Sequence, residues 1–441
     1  MKRLIDDKLN SWYRSDDKKP LIIKGARQVG KTYSVREFAK AYYKHVVEIN
    51  FEKQVEYVNL FEKTKNPKEI LDYLQLSFLE VPFDSTTLLF LDEIQASTHA
   101  LTALKFLAEE FPTDIICSGS VLGVAIASTT SFPVGYVETW EMYPLTFTEF
   151  LWASGVDDEW MSRLDNCLVN LEPLIEPLHV KMNELFKDYV VIGGMPEVVK
   201  LYLQTKSYKE ALSVQRRIVQ DYSNDMAKYA NGSDRIKTRE CFESIPLQLA
   251  KDNKKFQYKV VKEGYNARYY ESSLRWLQDS GLIIKVNRLS KVTDPIEAYI
   301  ELPVFKVYMS DTGLLLSQFN EGIIKELLMG DIGIYKGAIY ENIIAQMLQA
   351  AGKRSFYFEH SNNMEIDFVI YYEGKITPIE VKSSSHTRSV AFNNFVNNHK
   401  PLNAFRISTK NIGKEQDGSI TYLPFYLFDT LLNNEQQIWG Q

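Results

Sequence analysis

The chain has 441 residues, with 45% hydrophobic and 24% charged side chains and 51 Lys/Arg against 57 Asp/Glu, a formal charge of −6. The length exceeds one ordinary domain, and the balance excludes a wholly disordered, collagenous or coiled-coil chain. It also excludes a basic field covering the whole molecule, so any nucleic-acid site must be local.

The first residues, Met1-Lys2-Arg3-Leu4-Ile5-Asp6-Asp7-Lys8, are charged where a signal peptide is apolar, and no run of about 18 apolar residues follows. A cytoplasmic protein without membrane insertion is expected. Cys117, Cys167 and Cys241 lack the paired spacing of a zinc site or disulfide framework, which fits a reducing compartment.

From about residue 20 to 150, apolar runs (Leu21 to Ile23, Val46 to Phe51, Leu88 to Leu91, Ile115 to Cys117) alternate with amphipathic stretches. Buried-strand runs between helices predict a parallel α/β sheet, and we place this domain at 1–155. Gly25-Ala26-Arg27-Gln28-Val29-Gly30-Lys31-Thr32 follows the first strand and opens a helix, with Tyr33 next. That is the G-x-x-x-x-G-K-[ST] pattern of a P-loop NTPase. Its backbone N–H groups wrap a triphosphate, the lysine reaches the outer phosphates, and the Thr32 hydroxyl binds Mg2+. ATP and Mg2+ are therefore the expected cofactors.

Leu88-Leu89-Phe90-Leu91-Asp92-Glu93 is a buried strand ending in two carboxylates, a Walker B pattern. Asp92 would hold the magnesium and Glu93 would act as general base on the attacking water, which predicts hydrolysis. The next strand ends Cys117-Ser118-Gly119-Ser120, which makes Ser120 or Ser118 the sensor hydroxyl. Arg27, Arg216 and Arg217 are candidates for an arginine finger in an oligomer.

Residues 156–230 read as a helical lid, broken at Gly193-Gly194-Met195-Pro196. Residues 211 to 291 carry 16 Lys/Arg against 9 Asp/Glu. Within 231–325, helices over 239–252 and 268–277 and two following strands outline a winged-helix-like module. Arg268, Ser272 and Arg275 would be exposed toward double-stranded or branched DNA, although such modules also serve as protein contacts.

Residues 326–441 return to α/β alternation. Glu341 lies on the opening helix, Asp367 heads a strand, and Glu380 and Lys382 share one face of the next. Convergence of Glu341, Asp367 and Glu380 would suit Mg2+, with Lys382 stabilising phosphate charge. His386 reads as a loop residue.

The chain resembles a prokaryotic family of AAA-type ATPases with a C-terminal domain of unknown function. The resemblance rests on Gly25 to Thr32, Leu91 to Gln95, Ser118 to Ser120, Tyr143 to Phe150, Gly193 to Pro196 and Asp311-Thr312-Gly313-Leu314. Relatives often place a basic residue after the Gly preceding the Tyr-Pro-Leu segment; here Gly135 is followed by Tyr136. The last domain resembles the restriction-endonuclease-like superfamily, which implies nuclease roles for Asp367, Glu380 and Lys382. The rival expectation is a non-cleaving signalling or remodelling ATPase whose C-terminal domains bind a protein.

Overall fold

The computed structural model describes residues 1–120, 122–123, 132–229, 234–251, 253–329, 335–360, 364–383 and 389–438; His386 lies outside them. The chain forms two compact units, Met1–Tyr143 with Asp279–Gly281, and Pro144–Gln278 with Leu282–Gln441.

In unit 1, helix α1 (Leu4–Tyr13) precedes β1 (Leu21–Lys24), α2 (Lys31–Tyr42), β2 (His45–Asn50), α3 (Val55–Lys63), α4 (Pro67–Ser77), β3 (Thr87–Asp92), α5 (Thr98–Glu110), β4 (Asp114–Gly119) and β5 (Glu138–Glu141). The strands are parallel in the order β2-β3-β4-β1-β5. β3 is buried along its whole length, as expected of a central strand covered on both faces. Val47, Ile49, Leu89, Leu91 and Ile115 pack against Phe61, Ile70, Leu104 and Leu107 of the helices. Each such side chain contributes about 1.5–3 kcal/mol of burial. Local chemistry sets the helix starts: Asn66 accepts from the Lys68 amide at 3.0 Å with Pro67 in the first turn, and Ser97 accepts from the Ala100 amide at 3.2 Å. Because the strands run parallel, the loops that follow β1, β2, β3 and β4 emerge at one edge.

Unit 2 begins with α6 (Phe147–Ala153), α7 (Asp158–Asn170), α8 (Glu176–Ile192), α9 (Pro196–Thr205) and α10 (Tyr208–Tyr229). The break expected at Gly193 to Pro196 is present, with Gly193 at φ 72° and Pro196 opening α9. Then come α11 (Asp234–Leu249), α12 (Tyr258–Val261), α13 (Ala267–Asp279), β6 (Ile283–Leu289), β7 (Ile300–Met309), α14 (Thr312–Ser317) and α15 (Glu321–Met329). The last stretch holds α16 (Tyr335–Ala350), β8 (Phe356–His360), β9 (Met364–Tyr372), β10 (Lys375–Val381), α17 (Val390–His399), β11 (Phe405–Ser408), β12 (Gly413–Lys414), β13 (Thr421–Pro424) and α18 (Phe425–Ile438).

One sheet of order β12-β13-β11-β10-β9-β8-β6-β7 runs through this unit. The β6–β7 hairpin, placed by sequence with the basic segment, joins the later strands through parallel pairing of Asn287 with Phe356 and Leu289 with Phe358. Segments 231–325 and 326–441 therefore share backbone hydrogen bonds. β9 and β10 turn through Glu373 (φ 48°) and Gly374 (φ 70°), a two-residue hairpin whose twist matches its strands.

All three cysteines are free and buried. No helix among the described residues is long and apolar enough to cross a membrane.

Candidate functional site

In unit 1 the chemistry gathers where the parallel strands end. Gly25 follows β1 with its backbone against Met142, where a Cβ would lie 2.1 Å from the carbonyl oxygen, so only glycine fits. Gln28 (φ 64°) and Gly30 (φ 99°) curl the loop so that α2 starts at Lys31 with its first amides free of capping side chains. The buried Lys31 ammonium donates to the carbonyls of Gly25 at 3.0 Å and Ala26 at 2.7 Å. Burial pushes its pKa down to about 8, against the opposing pull of Glu93 and Asp92 and aided by Arg27.

Thr32 Oγ1 donates to Asp92 Oδ1 at 3.1 Å, and the Ser118 hydroxyl donates to the same oxygen. Asn50 Nδ2 donates to Asp92 Oδ2 at 2.9 Å. Thr32 and Asp92 thus present hard oxygen donors side by side, a set that fits magnesium. Glu93, in the left-handed region at φ 53°, accepts from Gln95 Nε2 and from Ser120 Oγ at 3.4 Å. Arg27 Nε donates to Ser120 Oγ at 3.3 Å and its terminal nitrogen pairs with Glu52 at 3.0 Å. The two sensor candidates divide their contacts: Ser118 touches Asp92 and Ser120 touches Glu93. Tyr33 is exposed. Asn50 and Gln95 were not singled out from sequence. Asn50 meets Asp92 only through the β2–β3 register, whereas Gln95, two residues past Glu93, was within reach of local reasoning.

The arginine-finger candidates of unit 2 are engaged elsewhere. Arg216 binds Glu321 at 3.0 Å and the Ser317 carbonyl at 3.3 Å, and Arg217 pairs with Glu197.

The cationic partners of the unit 2 carboxylates fall into two groups, and Asp367, bonded to the Val381 amide one residue from Glu380, lies next to both. Glu341 is buried on α16, which is pinned across β7 by Asn342, bonded to both the N–H (2.8 Å) and C=O (3.0 Å) of Met309. Its carboxylate receives the Lys254 ammonium, Tyr308 Oη at 2.9 Å and Lys306 Nζ at 3.5 Å. Lys306, only 2% exposed, also meets Glu365 at 2.8 Å and lies 4.9 Å from the Tyr357 ring. Asp367 belongs to this group electrostatically and accepts from the Val381 amide at 2.8 Å. Burial first, then Glu341, raise its carboxyl. Burial alone would raise Glu341 too, but Lys306 and Lys254 override it and hold that carboxyl down.

Glu380 belongs to the second group. Its carboxylate takes Arg406 Nε at 2.8 Å and Lys382 Nζ at 3.0 Å. Arg406, buried in β11, also reaches Asn393, Tyr422 and Glu415. Among the described residues no three carboxylate, imidazole or thiol groups are arranged to hold a metal ion. Of the carboxylates expected to converge on magnesium, Glu341 is engaged by Lys254 and Lys306 and Glu380 by Lys382 and Arg406. Lys306, Tyr308 and Arg406 were missed in the sequence. The signal available was a lysine inside the apolar alternation Phe305-Lys306-Val307-Tyr308 and an arginine between Phe405 and Ile407.

On α13, Arg268, Ser272 and Arg275 are exposed while Tyr270, Ser273, Leu274, Trp276 and Leu277 are buried. Ser272 Oγ donates to Asp234 at 3.2 Å. Tyr265 and Tyr269 lie beside them, with Lys262 Nζ 5.1 Å from the Tyr265 ring and Lys237 Nζ 6.0 Å from that of Tyr269.

Residues 17–151 match the AAA domain family. Residues 183–322 and 336–428 match two families described as domains of unknown function (DUF8612 and DUF4143). An uncharacterized protein of Haemophilus influenzae is 31% identical over 134 residues, 30% of this chain, which spans 28% of that relative's length. Among solved structures, a Walker-type ATPase of Pyrococcus abyssi aligns over 72% of this chain and 95% of its own, at 14% identity and TM-score 0.44. The Aeropyrum pernix ORC1 protein in complex with DNA aligns over 74% and 90%, at 10% identity and TM-score 0.29. With its phosphate loop, parallel sheet and strand-end carboxylates, the N-terminal unit is an AAA-type P-loop domain.

Proposed function

We propose that the protein binds and hydrolyses Mg-ATP in unit 1 and that ATP state governs engagement of duplex DNA by unit 2. The observation that carries hydrolysis is the constellation of Lys31, Thr32, Asp92 and Glu93 at one sheet edge. Bound magnesium would supply neutralisation of phosphate charge, held by Thr32 and Asp92. Lys31 exchanges its two loop carbonyls for phosphate oxygens, and the Glu93 carboxylate accepts the proton of the attacking water. Ser120, itself held by Arg27, steadies the Glu93 carboxylate.

The DNA reading is supported by the exposed cations and Tyr269 of α13 and by Tyr265 just before it, which offer phosphate contacts and stacking faces. The reading of 231–325 as winged-helix-like is supported by the order of helices followed by a hairpin, and that of 326–441 as restriction-endonuclease-like by a helix, three antiparallel strands, a crossover helix and a parallel strand. Coupling is supported by chain continuity. Asp279–Gly281, the end of α13 and the two residues after it, belongs to the compact unit of the phosphate loop, where a Cβ on Gly281 would lie 3.3 Å from the Ala26 amide nitrogen. The cation-filled carboxylates favour engagement without cleavage.

ATP turnover by wild type, Lys31→Ala and Glu93→Gln tests the first part. Glu93→Gln is expected to keep ATP binding and lose about 100-fold or more in kcat; undiminished turnover in both variants overturns it. Duplex affinity that is equal with a non-hydrolysable ATP analogue and with ADP overturns the coupling, and plasmid nicking lost in Asp367→Ala would restore the cleaving alternative.

A further inference from the structure

Glu341, Glu365, Asp367 and Lys306 form a cluster in unit 2, running from buried Glu341 and Lys306 to exposed Glu365, whose place in the fold would suit a cation. It already contains one. The Lys306 side chain is 2% exposed, rises from a strand residue paired with Val286, and sets its ammonium 2.8 Å from Glu365 and 3.5 Å from Glu341. Tyr308 donates a neutral hydrogen bond to Glu341, and Lys254, one-fifth exposed, closes it from the outside. Two ammonium groups thus face Glu341 and Glu365, while Asp367 is satisfied by a backbone amide.

We infer that Lys306 is a resident counter-cation that fills the carboxylate cluster of unit 2, so that the cluster takes up no divalent metal and the unit engages its ligand without one. A divalent ion entering while both Lys306 and Lys254 stay would bring four positive charges against three carboxylates and leave one uncompensated. Expelling the ammonium would require a strand residue with almost no path to water to release its partners. Lys254, less buried, is the exchangeable of the two. The inference does not rest on ATP hydrolysis by unit 1.

Mn2+ binding to the full chain, followed by the electron paramagnetic resonance of the free ion, tests it. In wild type any Mn2+ bound is expected to be lost in Asp92→Asn and unchanged in Asp367→Asn. Binding that survives Asp92→Asn and disappears on adding Asp367→Asn would overturn the inference. Removing the internal cation is the converse test: in Asp92→Asn, the further change Lys306→Met is expected to create a Mn2+ site and to make the melting temperature rise with Mn2+. Should that variant not fold, Lys254→Met in the same background keeps the test open, since it retains Lys306 and is expected to bind no Mn2+; a site appearing there would assign the blocking role to Lys254 and overturn the assignment to Lys306.

Discussion

Lys31 is held against two carbonyl oxygens in a buried loop, and that environment sets how nucleotide binding should respond to pH. With its pKa lowered from 10.5 to about 8, the amine of the free protein gives up its proton above that pH, whereas a bound polyphosphate favours the ammonium. Nucleotide binding is therefore expected to take up a proton above about pH 8 and to weaken as pH rises further. Titration calorimetry in buffers of different ionisation enthalpy measures that uptake. The stability sign runs the other way: between about 8 and 10.5 the unfolded chain binds more protons, so raising pH through that window relieves the penalty of burying the charge. Residues of this site were legible in the sequence because each lies next to the apolar run that buries it: Lys31 and Thr32 after one strand, Asp92 and Glu93 after another. Asn50, Lys306 and Arg406 were not, since their partners are supplied by strand register or by a helix laid across a strand.

Among elements, the segments Pro144 to Phe150, Gly193 to Pro196 and Asp311 to Leu314 meet in one buried knot of unit 2. Asp311 accepts the Gly194 amide at 2.6 Å and the Leu314 amide at 2.8 Å, and Leu145 N–H donates to the Gly194 carbonyl at 2.6 Å. A Cβ on Gly194 would sit 2.2 Å from the Leu145 carbonyl oxygen, and one on Gly193 2.3 Å from Asp311 Oδ1. The sequence showed these glycines as a helix break; that they are also the seat of a carboxylate needed the fold. Asp311→Ala strands buried N–H groups and is expected to cost about 3 kcal/mol, read as a lower urea midpoint with an unchanged m-value. Helix α13 divides more simply, burying Leu274 and Leu277 and exposing Arg268 and Arg275, as its spacing predicted. Arg268→Ala and Arg275→Ala are each expected to lower the slope of log affinity for duplex against log salt by about one, without changing melting temperature. Slopes equal to wild type would turn attention from DNA to a protein partner for this face.

Across the whole molecule, composition and pattern change after the basic segment and suggest a division of the chain there. The continuous sheet of unit 2 could not be foreseen there, because β6 and β8 pair across more than sixty residues of intervening chain. A chain ending at 329 leaves β6 with an open edge and removes α16 from β7. It is expected to elute from a sizing column as aggregate, while the full chain elutes as a defined species. The buried thiols carry a further practical consequence. Cys117 and Cys241 lie in apolar surroundings that push both thiols upward, Cys241 to about 12, and Cys167 is raised as well. Maleimide reagents should therefore pass over the native chain. Cysteines introduced at exposed Tyr33 and Arg268 would then carry a donor and acceptor dye without altering any natural cysteine, and energy transfer between them would report directly whether adding nucleotide changes the separation of the two units.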